Sequence, residues 1–337
     1  MRSQAVERIS VGPIPGVSKP TLRDLVSTRD LSPAEVRSVL DLAAVVKARP
    51  SDFRRTLDGK QLVMFFEKPS LRTRLTFEAG MASLGGTAFF MDQTGGRIDA
   101  RESLSDIAHN VERWVDVIVL RTFAHSTVEG MAAHASIPVI NALSDLEHPC
   151  QALADYSVLQ ERFGNLKNVT LAYVGDGNNV AHSLLLTGAM LGSHVRVATP
   201  PGYQPNAEIF AAAQEIAQET GATVEAMTDP REAVSGADAV YTDAWASMGQ
   251  ENEADARIPI FQPYQVNEKL MAKAAPHAVF MHCLPAHRGQ EATDAVMDSP
   301  QSVVFDQAEG RLHVQKAILM LLLWGGASRF PVRSAHV

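Results

Sequence analysis

Ser70-Leu71-Arg72-Thr73-Arg74 gathers two hydroxyls and two guanidiniums into five residues directly behind Pro69. That density suits an anion, because a guanidinium meets phosphate or carboxylate oxygens two at a time. Upstream, Gln61 to Phe66 has the length and composition of a buried strand, and downstream Leu75, Phe77, Met81 and Leu84 recur near helical spacing. The stretch is therefore a strand-to-helix turn. Pro69 bars the strand from continuing, Ser70 caps the helix, and the first backbone N–H groups lie unpaired at its positive end. An ordinary capped helix with surface arginines fits the same residues about as well.

Other reactive side chains fall at strand ends, where open α/β sheets hold their ligands. Arg121 directly follows the apolar run Val117 to Leu120, although a salt-bridged surface arginine would read the same way. His148-Pro149-Cys150-Gln151 opens a helix with proline near its first position, so His148 and Gln151 stand one helical step apart and can face one cleft. Asp243 follows the strand Ala239 to Thr242, and Cys283 follows Ala278 to Met281, between His282 and Leu284-Pro285. An acid and a thiol at neighbouring strand ends can hold a substrate amine, while a free cysteine is more often a small buried hydrophobe. Arg311 stands just before the apolar helix Leu312 to Leu323, and Arg97 lies in the Gly-rich span Asp92 to Ala100, which reads as a solvated loop.

One motif points two ways. Gly175-Asp176-Gly177-Asn178-Asn179-Val180-Ala181 follows a strand and opens a helix, as a dinucleotide-binding turn does. That fingerprint also wants an acid at the end of the next strand, which here reads Val197-Ala198-Thr199-Pro200. A nicotinamide cofactor is thereby disfavoured, and Asn178 and Asn179 offer amides suited to an amino-acid head group.

These residues need a frame that brings distant strand ends together. Apolar runs at Thr87 to Met91, Val115 to Leu120 and Pro138 to Ile140 alternate with helical patterns. A second series follows at Val169 to Val174, His194 to Ala198, Thr223 to Ala226, Ala239 to Thr242, Ala278 to Met281 and Val303 to Phe305. The expected fold class is α/β: two doubly wound parallel-sheet domains with a cleft between them, and a C-terminal helix returning to the first. The expected division is a flexible arm over 1–20, a first domain over 21–148 completed by 312–337, and a second over 149–311.

With 337 residues, 46% of them hydrophobic and 20% charged, the chain has core enough for both domains. A net charge of −8 argues against nucleic acid or an anionic membrane as partner, yet leaves room for a small anion held by local arginines. Two cysteines make no disulfide framework, and Met1 to Pro20 lacks the apolar stretch of a secretory signal, so a reducing, cytoplasmic setting is expected.

Taken together and in order, Ser70-x-Arg72-Thr73-Arg74, His148-Pro149-x-Gln151, Asp243-x-x-x-Ser247-Met248-Gly249 and His282-Cys283-Leu284-Pro285 closely resemble the aspartate/ornithine carbamoyltransferase family. The last two motifs resemble its ornithine-using branch, and the likeness runs from about Leu25 to Leu323. It implies transfer of the carbamoyl group of carbamoyl phosphate to the side-chain amine of L-ornithine, without metal or organic cofactor, in a homotrimer with active sites near subunit interfaces. By this resemblance Ser70, the Leu71 amide, Arg72 and Thr73 would hold the phosphate, Arg121 would bridge phosphate and carbonyl oxygen, and His148 would polarise that oxygen. Gln151 and the Leu284 carbonyl would orient the carbamoyl amide, with Arg311 nearby. Asn179, Asp243, Ser247 and Met248 would hold the α-amino and carboxylate groups of ornithine, and Cys283 with Asp243 would position its side-chain amine. Leu71 departs from the family, where many relatives carry Thr, and so does Arg97, where relatives often have a Gln that reaches carbamoyl phosphate. Carbamoylation of another amine, such as an acylated ornithine or putrescine, is the nearest alternative. A nicotinamide-dependent dehydrogenase and a catalytically silent binding protein of the same fold are the others.

Overall fold

A computed structural model describes residues 22–93, 96–246 and 254–323. Short runs of apolar residues alternate with helices in it, and the outcome is two parallel sheets. The first holds β1 (Gln61–Phe66), β2 (Thr87–Asp92), β3 (Val117–Arg121) and β4 (Val139–Leu143) in the order β2-β1-β3-β4. The second holds β5 (Thr170–Val174), β6 (His194–Ala198), β7 (Val224–Met227), β8 (Ala239–Thr242) and β9 (Val279–His282) in the order β7-β6-β5-β8-β9. Helices α1 (Pro33–Ala48), α2 (Leu71–Ser83), α3 (Leu104–Val111) and α4 (His125–His134) belong to the first sheet. After α5 (Pro149–Phe163), the second is served by α6 (Asn179–Leu191), α7 (Ala207–Thr220), α8 (Pro230–Val234), α9 (Ala254–Phe261), α10 (Glu268–Met271) and α11 (Asp294–Met297). Finally α12 (Val304–Leu323) turns back and packs on α1, α2 and α5. No helix among the described residues is long and apolar enough to cross a membrane.

Local chemistry explains the main boundaries. Ser32 and Glu35 form a capping box, with Pro33 opening α1. Every residue of β3 and β5 is buried, as central parallel strands covered on both faces require. Strand order reverses between β1 and β3 and again between β5 and β8. At such a switch point the flanking crossovers leave to opposite faces, and a crevice opens beyond the carboxyl ends of the strands.

The expected strands recur with small end shifts, except at the carboxyl end. Val303 to Phe305 is not a strand: Ser302 makes a single parallel bridge to Phe280, and α12 already begins at Val304. Arg311 therefore lies inside the last helix and not ahead of it. The first turns of α12 mix Asp306, Gln307 and Glu309 into the apolar pattern, and burial of polar Gln307 and Arg311 hides the helix from a hydrophobicity reading.

The α5–α6 contact depends on a missing side chain. A Cβ at Gly188 would overlap Tyr156 Oη and Val195 Cγ2, and the Tyr156 hydroxyl is held in place by donating to the Leu184 carbonyl at 3.1 Å. Gly188→Ala should therefore lower the unfolding free energy by about 1–3 kcal/mol. Urea unfolding of the two proteins measures this, and an unchanged midpoint would contradict it.

Candidate active site

Both switch points open onto one cavity of about 380 Å³. Ser70, Leu71, Arg72 and Thr73 reach it from the β1–α2 turn, Arg121 from the end of β3, and His148 and Gln151 from the start of α5. Asn179, Asp243, Cys283 and Leu284 line the other side, following β5, β8 and β9, and Arg311 enters from α12. Ser247, Met248 and Gly249 lie outside the described residues. Arg97 does not line this cavity; its guanidinium grips both oxygens of Asp99 at 2.8 and 2.9 Å on the surface. Arg74 also stays out, bonded to Glu78 at 2.9 Å and lying 3.8 Å from the centre of the Phe90 ring.

The first wall is built to receive negative charge. Ser70 Oγ accepts from Thr73 N at 3.2 Å, which caps α2 and leaves its first amides directed at the cavity. Leu71 is 76% exposed, so this position offers its backbone and not its side chain. Arg311 donates to Thr73 Oγ1 from across the helix contact. Arg121 and Arg311 are both buried, and burial is the main force lowering their proton affinity, with repulsion from Arg72 adding to it in each case. His148 is pushed well below the usual histidine range, first by burial and then by Arg311 and Arg121, so it is neutral near pH 7. A neutral imidazole beside two cations can still donate a hydrogen bond without adding a third positive charge.

His148 sits at a braced corner. Its backbone N–H donates to Ser183 Oγ at 2.9 Å, and buried Glu147 accepts from Ser27 Oγ, from Thr28 N at 2.9 Å and from Ser183 Oγ at 3.3 Å. These bonds join the amino-terminal segment, the α5 start and α6 around the ring.

The second wall is an acid–thiol pair. Cys283 Sγ donates to Asp243 Oδ1 at 2.9 Å, and Asn178 Nδ2 donates to Asp243 Oδ2 at 2.9 Å. Burial, then the Asp243 charge, push the Cys283 thiol well above its ordinary range, which keeps it protonated. Asn178 is thus a support and not a free amide, since its Oδ1 also caps α6 by accepting from Val180 N and Ala181 N. Asn179 donates to the Ser144 carbonyl at 2.5 Å, tying the two walls together while it lines the cavity.

Asp243, His282 and Cys283 place their donor atoms within 4.8 Å of one another, a spacing that a metal ion could use. The bonds around them give a different reading. His282 Nδ1 accepts from Leu284 N at 2.8 Å, which leaves the proton on Nε2, facing Glu291 Oε1 at 3.2 Å. Both ring nitrogens are committed to bracing the loop, and Asp243 and Cys283 are committed to each other. The brace holds Leu284 at φ 59°, a region that branched residues seldom occupy, next to the cis Leu284–Pro285 bond.

The glycine turn after β5 also acquires an explanation. Gly177 N donates to the Tyr203 carbonyl at 2.9 Å, and a Cβ at Gly177 would collide with backbone atoms of Tyr203, Gln204 and Pro205. The close approach that a dinucleotide pyrophosphate would need is filled by the chain itself. Lys68 and His287, which were not among the expected site residues, also line the cavity. Lys68 could have been found as the cation just before Pro69 in the opening motif; nothing local marked His287.

A cationic pocket faced by an acid–thiol pair, set between two doubly wound domains, is the layout of a two-substrate group-transfer enzyme. Residues 23–161 match the carbamoyl-P binding domain of aspartate/ornithine carbamoyltransferases, and residues 167–322 match their Asp/Orn binding domain. The chain belongs to the aspartate/ornithine carbamoyltransferase family. It is 50% identical to an ornithine carbamoyltransferase of Pyrococcus abyssi over 91% of this chain and 98% of that protein. It is 54% identical to one from Symbiobacterium thermophilum over 89% of this chain and 98% of that one. Among solved structures, the ornithine carbamoyltransferase from Pyrococcus furiosus superimposes with a TM-score of 0.89 at 49% identity, covering 92% of this chain and 99% of that one.

The thiol's environment makes a direct prediction. Because the thiolate is the nucleophile, Cys283 at pH 8 should react with iodoacetamide at least roughly tenfold more slowly than free cysteine. Peptide mass spectrometry over time reads the rate, and labelling as fast as glutathione would show that the thiol is not held protonated.

Proposed function

We propose that the protein transfers the carbamoyl group of carbamoyl phosphate to the side-chain amine of L-ornithine, giving L-citrulline and phosphate. The observation that carries this reading is the convergence of Arg72, Arg121, Arg311 and the α2 start on one cavity that Asp243 and Cys283 enter from the other side. The names of the relatives and of the matched domains support it.

In this reading the phosphate lies at Ser70 to Thr73, and the carbonyl oxygen lies between Arg121 and His148. The neutral amine attacks the carbamoyl carbon, negative charge gathers on the carbonyl oxygen, the bond from carbon to phosphate oxygen breaks as the carbon–nitrogen bond becomes permanent, and the proton shed by the nitrogen leaves with the phosphate. Fixed donors at the oxygen and at the leaving phosphate lower the barrier because they need no reorganisation as charge develops. Gln151 and the Leu284 carbonyl orient the carbamoyl NH2. A thiol that already donates to Asp243 and resists ionisation is no resting thiolate, so Cys283 orients the amine and Asp243 supplies the local negative charge. Asn179, Ser247 and Met248 serve the amino-acid end of ornithine.

Carbamoyl phosphate binding is assigned to residues 21–148 with the returning helix, and ornithine binding to 149–311. A homotrimer belongs to this reading, and exposed Leu71 and Leu75 on α2 with exposed Phe89 and Met91 on the edge strand β2 give apolar surface that a neighbouring copy would cover. In the same reading Arg97, turned outward from its own cavity, serves a neighbour's. The cytoplasm is the compartment that fits a chain with two free cysteines.

The test is a citrulline assay with a panel of amines. Arg72→Ala should lower the rate by about 10²–10³, while its urea unfolding stays close to wild type. Near-normal turnover in that variant, or much faster carbamoylation of putrescine or acetylornithine by the wild-type protein, would overturn the proposal.

A further inference from the structure

One turn beyond Gln151 on α5 stands Asp155, and both side chains are buried. Asp155 Oδ1 accepts from Gln151 Nε2 at 2.7 Å and from Gln307 Nε2 of α12 at 2.7 Å. Gln307 Oε1 in turn accepts from His282 N at 2.9 Å. A backbone N–H only donates, so it fixes which end of the Gln307 amide faces β9 and leaves Nε2 for Asp155. The acceptor on Asp155 then fixes Gln151 in the same way, with Nε2 toward the carboxyl group. Gln151 Oε1 is left as a buried acceptor without a hydrogen-bond partner among the described residues, on a side chain that lines the cavity.

We propose that Asp155 is a positioning residue that locks the Gln151 amide with its oxygen toward the ligand, so that the site prefers an acyl phosphate whose acyl group carries NH2 over one that carries CH3. The inference rests on placing the carbamoyl group at Gln151 and the Leu284 carbonyl. Both present acceptors there, which two N–H donors satisfy and a methyl group does not. A buried acceptor left unmatched is costly, and this is how a site built around hydrogen bonds rejects a close isostere. If Gln151 could turn over, its own NH2 would confront the ligand's, and the preference would be lost. The acceptor oxygen is what orients Gln151, and the charge is dispensable. Burial above all pushes the Asp155 carboxyl up to about 7, so near neutrality it carries a proton part of the time and still keeps one accepting oxygen.

The experiment measures dissociation constants of carbamoyl phosphate, acetyl phosphate and inorganic phosphate by calorimetry on the full-length wild-type protein and its variants. Asp155→Leu keeps the shape without an acceptor, and Asp155→Ala replaces it if the leucine variant fails to fold, with inorganic phosphate binding reporting an intact cavity. The expected result is roughly a tenfold to hundredfold weakening for carbamoyl phosphate, with acetyl phosphate and inorganic phosphate within about twofold of wild type. Asp155→Asn, which restores an accepting oxygen, should restore the preference. A purely structural role for Asp155 would weaken all three ligands alike, and that result overturns the proposal, as does an asparagine variant that loses the preference. Gln151→Ala separates the two readings. If it abolishes the preference and Asp155→Leu does not, the role of Asp155 is refuted; if Gln151→Ala itself changes nothing, the carbamoyl placement is wrong.

Discussion

Like-charge crowding is the constraint on which the site depends. Arg121 and Arg311 are buried next to each other, Arg72 adds a third guanidinium, and the start of α2 contributes a positive dipole end. Desolvating a cation costs on the order of several kcal/mol unless something opposite in sign meets it. In the proposed reading a phosphate dianion would meet these groups together, and a doubly charged ligand would suit them better than a carboxylate of similar size. The three arginines come from α2, β3 and α12, and they meet because the last helix returns to the first domain.

The opposite wall works by a different logic. Asp243 is held by Asn178 and Cys283 so that its charge faces the cavity in one orientation, and the thiol stays protonated because it is buried beside that charge. Two walls of opposite character then meet across a small volume. In the proposed reading, charge separation of this kind sets the phosphate end of one substrate against the first wall and the amine of the other against the second.

Much of this was legible in the sequence. Strand ends announce themselves by an apolar run stopping at polar residues, and that signal located Ser70 to Thr73, Arg121, Asp243 and Cys283. Where polar residues are buried for the sake of the site, the signal inverts: Gln307 and Arg311 made the first turns of α12 look like a loop and a strand. The glycine turn after β5 was ambiguous for another reason, since glycine records that something comes close without recording what. At Gly177 it is the backbone of residues 203–205. Asn178 was legible as an amide near the cleft, but its commitment to the α6 cap and to Asp243 is a tertiary fact. Arg97 could not be placed from its loop, because its partner Asp99 competes with any ligand for the same guanidinium.

The bond from Arg311 to Thr73 spans 238 positions in the chain. During synthesis the cradle at Ser70 to Thr73 therefore leaves the ribosome long before the helix that completes it, and the entire second domain is made in between. A nascent chain can build β1 to β4 early, but it cannot hold its anion with the full set of donors until α12 has emerged and docked. Contacts of such long sequence separation also form late in refolding, because the loop they close must be ordered before they contribute. Ligand binding is thus a readout of finished chains: a product cut short within α12 would carry most of the fold and an incomplete pocket.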